Sequence, residues 1–372
     1  MSYRWWSILF LAVTCVCLGA SMAFSALVDP YGLFNILDLE GFNRKKTAFP
    51  QYQRLGKVHA IQQLQPRSLL VGASQIEIGL DPAHPGLTAP CYNVAWPRMC
   101  MFEALRLVQH AHGAGRLEQV VLGVHTAMFR ASERPGSNFR EELLIVDRTG
   151  RPNPWHSLGR LPLLASADTL VASTETVIGQ YVTIRGFEAL ILADGRRATP
   201  DLARLARQRG GMAQVFEDHR KALRLRPAQE TWRDPVTGRS TFDLLLDLAR
   251  LCRRARIDLR VIITPRHVEG CLPEDKGDEA AWRKGLVDAL AREGRSTRAI
   301  PFPLYDFDYP SRYTTQPVPP TGDANAQLRW FWDPVHFRVE LGSLILDRVF
   351  GRPGAPADWG HLLAGAPQTW GR

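Results

Sequence analysis

The sequence has little of what staples or tethers a small fold. It holds six cysteines in 372 residues and no CxxC pair, which argues against a zinc ribbon. Lysine occurs only at positions 45, 46, 57, 221, 276 and 284, so nearly all the positive charge is arginine, as GC-rich codon usage also produces. No Lys/Arg run is interleaved with aromatics, which excludes the usual nucleic-acid-binding pattern. There is no Walker-type Gly-Lys-Ser/Thr and no Gly-x-Gly-x-x-Gly after a strand, so neither a nucleotide nor any other cofactor is expected. His110, His112 and His125 lack the fixed spacing of ligands, and no metal is expected. Internal repeats and low-complexity tracts are missing too. With Gly 30 and Pro 26, a fibrous or wholly disordered chain is ruled out.

What is present is an ordinary globular composition, 45% hydrophobic and 22% charged, on a chain long enough for one large domain or two modest ones. The net charge of +9 is unevenly spread: residues 194–260 carry sixteen basic against nine acidic side chains. Such a concentration suits an anionic glycan or lipid headgroup, and suits a solvated helical face equally well.

Residues Trp5 to Val28 carry no charge. About 20 apolar helical residues cross a hydrocarbon core of about 30 Å, so residues 1–28 are expected to form a single transmembrane signal anchor. The rival reading is a cleaved signal peptide, with Arg4 as its charged end and Ser-Met-Ala or Phe-Ser-Ala as the cleavage site. The run outlasts a normal signal core, and Trp5 and Trp6 suit an interface, which favours the anchor. Arg4 on one side and Arg44, Lys45 and Lys46 on the other leave sidedness open. Cys91, Cys100, Cys252 and Cys271 allow either two disulfides or four buried thiols.

A connector, 29–66, leads to a region of alternating short apolar runs and longer amphipathic ones, 67–350, with a tail at 351–372. Ser68 to Val71, Cys91 to Ala95, Gln119 to Val124, Leu259 to Thr264 and Pro303 to Phe307 read as strands. Helices are expected near Phe102–His112, Thr241–Ala255, Ala280–Arg292 and Leu341–Phe350. This alternation implies an α/β fold with a central parallel sheet, a three-layer α/β/α sandwich. The stretch of about 130–239 breaks the alternation and reads as a large, mainly helical insertion, with a polar helix from Asp201 to Arg226, lying as a lid over the carboxyl edge of the sheet.

Active residues in open parallel sheets sit at the carboxyl ends of strands. Ser74 follows the first strand within Gly72-Ala73-Ser74-Gln75, where two small residues permit a tight turn that presents its hydroxyl; an N-cap role explains the same residue. Late in the chain, Trp332-Asp333-Pro334-Val335-His336-Phe337 sets an Asp three residues before a His. That spacing lets the carboxylate hold one imidazole nitrogen and leave the other free to take a serine proton.

The Gly-x-Ser-x turn and the late Asp-x-x-His resemble the SGNH/GDSL hydrolase superfamily. With Val28-Asp29-Pro30-Tyr31-Gly32, Leu69-Leu70-Val71-Gly72-Ala73-Ser74, Tyr92-Asn93-Val94-Ala95 and Thr264-Pro265-Arg266-His267, the chain looks like membrane-anchored bacterial members related to alginate-type polysaccharide O-acetylation proteins. The likeness covers roughly 28–125 and 240–350. It implies a flavodoxin-like fold, an exported domain at the inner membrane, and a glycan or acyl-ester substrate. It also leaves room for a membrane partner protein that supplies the acyl donor. Ser74 would be nucleophile, His336 base and then acid, and Asp333 its orienter. The superfamily adds a Gly and an Asn as oxyanion donors, yet alignment puts Arg98 and His125 at those positions. Asn93, Arg98, His125 and His267 are the candidates for oxyanion or substrate contacts. A catalytically degenerate binding or assembly component of an envelope polysaccharide system is the alternative.

Overall fold

The computed structural model describes residues 3–182, 190–224, 231–270 and 276–366; Cys271, Arg226 and the last six residues of the tail lie outside them. The fold is mixed α/β with a mostly parallel sheet and one apolar N-terminal helix. The chain divides into two compact units. One comprises Met1–Gln63 with Asn138–Glu188, and the other Leu64–Ser137 with Ala189–Arg372.

The first unit is built on helix α1, Tyr3–Val28. It is long and apolar enough to cross a membrane. Two devices close its C-terminal end, where helix carbonyls otherwise lack partners. The Asn43 amide donates to Leu27 O at 3.0 Å and Val28 O at 3.3 Å, and Lys46 Nζ donates to Val28 O at 3.0 Å. The chain then turns at Asp29, whose carboxylate accepts the N–H groups of Leu33, Phe34 and Asn35. The connector is therefore ordered by polar side chains, and it continues into helix α2, Phe49–Leu64. Helices α5, Leu161–Leu164, and α6, Ala167–Ile178, pack against α1.

The second unit holds the sheet. Its strands are β1 Ser68–Val71, β2 Cys91–Asn93, β3 Gln119–Val124, β6 Asp258–Ile263, β7 Leu304–Asp306 and β8 His361–Ala364, in the order β2-β1-β3-β6-β7-β8. The first five are parallel, and β8 runs antiparallel to β7. Strands β1, β3 and β6 are buried at every position, as expected when both faces of a parallel sheet are covered. Strand β8 was not legible as a strand; pairing with β7 extends the sheet by an edge within the segment read as a tail.

Helices α3 Ser74–Gly79, α4 Met101–Ala114, α9 Thr241–Ala255, α10 Lys276–Thr297 and α11 Val339–Val349 accompany the sheet. Ser240 caps α9 by accepting from Phe242 N, and Arg256 ends it in the left-handed conformation, φ 58°.

The 130–239 stretch is not one body. Residues 130–137 belong to the sheet unit, whereas Asn138–Glu188, with α5 and α6, belongs to the unit of α1. The later part of the stretch contains the hairpin β4 Leu190–Ile191 with β5 Arg197–Ala198, then α7 Pro200–Gln208 and α8 Met212–Arg224. The expected single polar helix is thus two, broken at Gly210 and Gly211, both at positive φ. Ala206, Met212, Val215 and Phe216 join the core of Leu70, Ile76, Phe331 and Phe337, so α7 and α8 are part of the packed unit, with arginines on their outer faces.

Candidate active site

Between Ser68 and Leu80 every residue is buried except Ser74, which is half-buried. The turn that presents it depends on two glycines. A Cβ on Gly72 (φ +155°) would lie 2.6 Å from Ile76 Cγ1, and one on Gly123 would lie 2.2 Å from Ile76 Cδ1. Both vacancies let Ile76 seat α3 directly on the ends of β1 and β3. The far end of α3 is held as closely: a Cβ on Gly79 would meet the Phe337 ring at 2.1 Å, and one on Gly342 of α11 would meet Gly79 O at 1.8 Å. The approach of α3 to α11 brings the turn that precedes α11 to Ser74.

In that turn, Trp332 N donates to His336 O at 2.8 Å, and Phe331 bridges Phe337. Asp333 works with both oxygens. Oδ1 accepts the N–H groups of Val335 and His336, each at 2.8 Å, and Oδ2 lies 2.6 Å from His336 Nδ1. His336 Nε2 lies 2.8 Å from Ser74 Oγ. The partners assign the tautomer: Nδ1–H donates to the carboxylate, and Nε2 accepts from the hydroxyl. The side chains of Asp333 and His336 are 23% and 21% exposed, enough to meet a substrate from one side.

Burial pushes the His336 pKa down, but the charge and hydrogen bond of Asp333 outweigh it and hold the imidazolium above the ordinary histidine value. Burial likewise pushes Asp333 up, and it is overcome by His336 and the two backbone N–H groups, which hold the carboxyl below its ordinary value. Two further charges act on His336: Arg197 lowers its pKa and Glu77 raises it. Glu77 is buried on α3, and Arg197 stands on β5. The hairpin carrying Arg197 is fixed to the sheet edge by the Asn93 N–H, which donates to Asp194 O at 2.8 Å, and by Gly195 (φ +82°), where any Cβ would lie 2.2 Å from Asn93 O.

Gln75, next to Ser74, ties three segments together. Its Nε2 donates to Val335 O at 3.1 Å, and its Oε1 accepts from Thr264 Oγ1 at 2.8 Å. Sequence reasoning overlooked both Gln75 and Arg197. Gln75 had adjacency to Ser74 as its signal; Arg197 had none, since only the fold of the hairpin brings it to the site.

The remaining candidates are placed differently. Asn93 is fully buried and spends its amide on α3, donating to Ile76 O at 2.9 Å and Leu80 O at 3.2 Å while its Oδ1 accepts from Ala95 N. It fixes the helix that carries Ser74 and has no donor left for an oxyanion. Arg98 turns outward, 77% exposed, and pairs with Glu133 at 3.1 Å. His125, at the carboxyl end of β3, begins the turn Thr126–Phe129 and is half-buried. His267 is a structural residue: its Nε2 meets Gln316 O at 2.7 Å, its Nδ1 accepts from Glu269 N, and its ring lies edge-on to Phe216 and Phe331. Its peptide N–H nonetheless serves the site by donating to Pro334 O at 2.9 Å. Trp96 and Phe331 are core residues, whereas Trp332 is half-buried with Arg338 3.6 Å over its ring.

Cys91, Cys100 and Cys252 are free thiols, and burial pushes the pKa of each upward. No group of three or more His, Cys, Asp or Glu side chains suited to a metal occurs among the described residues. No protein-family model matches the chain, and no curated protein matches it.

Proposed function

We propose that the chain is an SGNH-like serine acyl-ester hydrolase or O-acetyltransferase, anchored in the bacterial inner membrane with its sheet unit facing the periplasm and acting on a cell-envelope or exported glycan. The observation that carries this reading is the unbroken hydrogen-bond chain from Ser74 Oγ through His336 to Asp333. The strand order supports a three-layer α/β/α sandwich of the SGNH type, with the site at the carboxyl ends of β1 and β3.

In this reading, Ser74 Oγ attacks the ester carbonyl as His336 Nε2 takes its proton, and Asp333 stabilises the imidazolium. Collapse of the tetrahedral intermediate breaks the ester C–O bond, and His336 returns the proton to the departing alcohol. Water or a sugar hydroxyl then attacks the acyl-serine, with His336 again as base, giving hydrolysis or transfer. Asn93 and Arg98 do not supply oxyanion donors, so this reading assigns the role to the serine's own peptide N–H.

Incubation of the full chain in detergent with a chromogenic acetyl ester and a fluorophosphonate tests this. Turnover and a covalent adduct on Ser74 are expected, and Ser74→Ala should lose both. Equal turnover by the two proteins would remove the nucleophile assignment. The outward-turned Arg98 favours a second reading, a membrane-tethered binding or assembly component that keeps the fold without the chemistry. Absence of the adduct, together with retained glycan binding, would select it.

A further inference from the structure

We propose that the segment from Trp155 to Tyr181, built around α5 and α6, lies in the membrane interface beside α1 and contacts lipid directly. This rests on reading α1 as a membrane span and is independent of the ester chemistry.

Helix α6 is turned inside out relative to a helix on a water-soluble protein. The side chains it buries are small or hydroxylated: Thr169, Ala172, Ser173 and Thr176. Those it exposes include Leu170, Val171 and Ile178, at 38%, 58% and 48%. A helix at a water surface hides its apolar stripe, whereas helices that meet in lipid pair through small residues and turn the large apolar ones outward. Helix α6 packs against α1, whose own buried residues are Ser25 and Val28. Local hydrogen bonds hold this arrangement: Thr169 Oγ1 donates to the Tyr31 hydroxyl at 3.4 Å, and Gln180 and Lys45 exchange bonds at 2.9 and 3.1 Å.

The level of contact along α1 also fits. Residues 3–20 of α1 are exposed throughout, and cover begins at Ser21. Eighteen helical residues measure about 27 Å, close to the roughly 30 Å of a hydrocarbon core. The covered end of α1 therefore falls at the boundary of the core, and α6 with it. The exposed Trp155 and Tyr181 are the aromatic types that settle at such a boundary. The exposed face of α6 carries Val171, Thr174 and Ile178, with Asp168 exposed in its first turn, the mixed apolar and polar character that an interface accommodates.

The test uses the full chain in nanodiscs of phosphatidylethanolamine and phosphatidylglycerol doped with a phospholipid carrying a diazirine on its acyl chain. After illumination, adducts are mapped by peptide mass spectrometry. Labelling is expected in α1 and in 155–181, each about tenfold above the peptides that contain β3 and β6. The double variant Val171→Asp with Ile178→Asp alters exposed positions only, and should cut labelling of 155–181 by about tenfold while leaving α1 unchanged. Labelled α1 beside an unlabelled 155–181 overturns the inference, because another protein surface then covers α6 while the anchor stands. If neither is labelled, the anchor reading itself falls and the inference with it.

Discussion

The two units differ in how many large apolar side chains they leave exposed. Among the described residues outside α1, the smaller unit exposes ten large hydrophobic side chains, among them Trp155, Val171 and Ile178, whereas the larger sheet unit exposes five. In the sheet unit, buried strands and glycine-mediated close packing position one polar site. The smaller unit buries polar groups in the Asp29 and Asn43 networks while leaving large apolar side chains of 155–182 exposed. The proposed interfacial placement of the smaller unit accounts for its exposed apolar side chains without any difference in the packing rules.

The largest test of that contrast is chemical. Ser74→Ala should reduce ester turnover on the order of 10⁴-fold or more, yet leave lipid labelling of the smaller unit untouched. A loss of both in one variant would mean that the units do not work separately. A steric test comes next. Gly342→Ala places a Cβ where Gly79 O stands at 1.8 Å, so α3 and α11 must part. Overpacking of this kind costs about 1–3 kcal/mol, and the Ser74 to His336 spacing goes with it. Gly19→Ala in α1 meets nothing within 4 Å and should be silent. Thermal unfolding and turnover, measured together in detergent, separate the two glycines. A smaller effect is expected at Asn43→Ala, which deletes the cap on α1 and should cost about 1–2 kcal/mol. Hydrogen exchange at Leu39, whose N–H Asn43 Oδ1 accepts at 2.8 Å, reads it locally.

The sheet was legible because β1, β3 and β6 carry short, β-branched apolar stretches, Leu69–Val71, Val120–Val124 and Val261–Ile263, that alternate with longer amphipathic segments. Ser74, Asp333 and His336 were legible because each sits in a short, spacing-constrained turn. Strand β8 was not, since an edge strand with exposed side chains has no hydrophobic pattern of its own. The division of 130–239 between two units was equally hidden: the two halves differ in which surface they cover, and local periodicity is silent on that. Arg98 and His125 were aligned by position along the chain. Yet Arg98 sits at positive φ with its guanidinium on Glu133, a consequence of loop geometry that spacing does not encode. Arg197 belongs to the same class, because its place beside α3 depends on the anchoring of Gly195 to β2.

The finest distinction concerns the charges around His336. As general base it must be neutral, so kcat/KM should rise with pH through its pKa, which lies above the ordinary histidine value. Arg197 opposes the imidazolium, so Arg197→Gln should move that limb to higher pH, and Arg197→Lys should restore its position. Glu77 favours the imidazolium, and Glu77→Gln should move the limb to lower pH. Shifts in the same direction for both variants would show that neither charge acts on His336 directly. Stability runs in the opposite sense. The raised His336 pKa contributes stability that is full below the ordinary histidine value and fades as pH rises through the folded one. The lowered Asp333 pKa contributes above the ordinary carboxylate value and fades as pH falls through the folded one. The ion pair is therefore most stabilising at mildly acidic pH, where the base is still protonated, and turnover should increase as that stabilisation is lost. A pH profile of turnover set beside one of thermal midpoint should cross in this way for the native chain, and Asp333→Asn should flatten the stability profile as it moves the activity limb to lower pH.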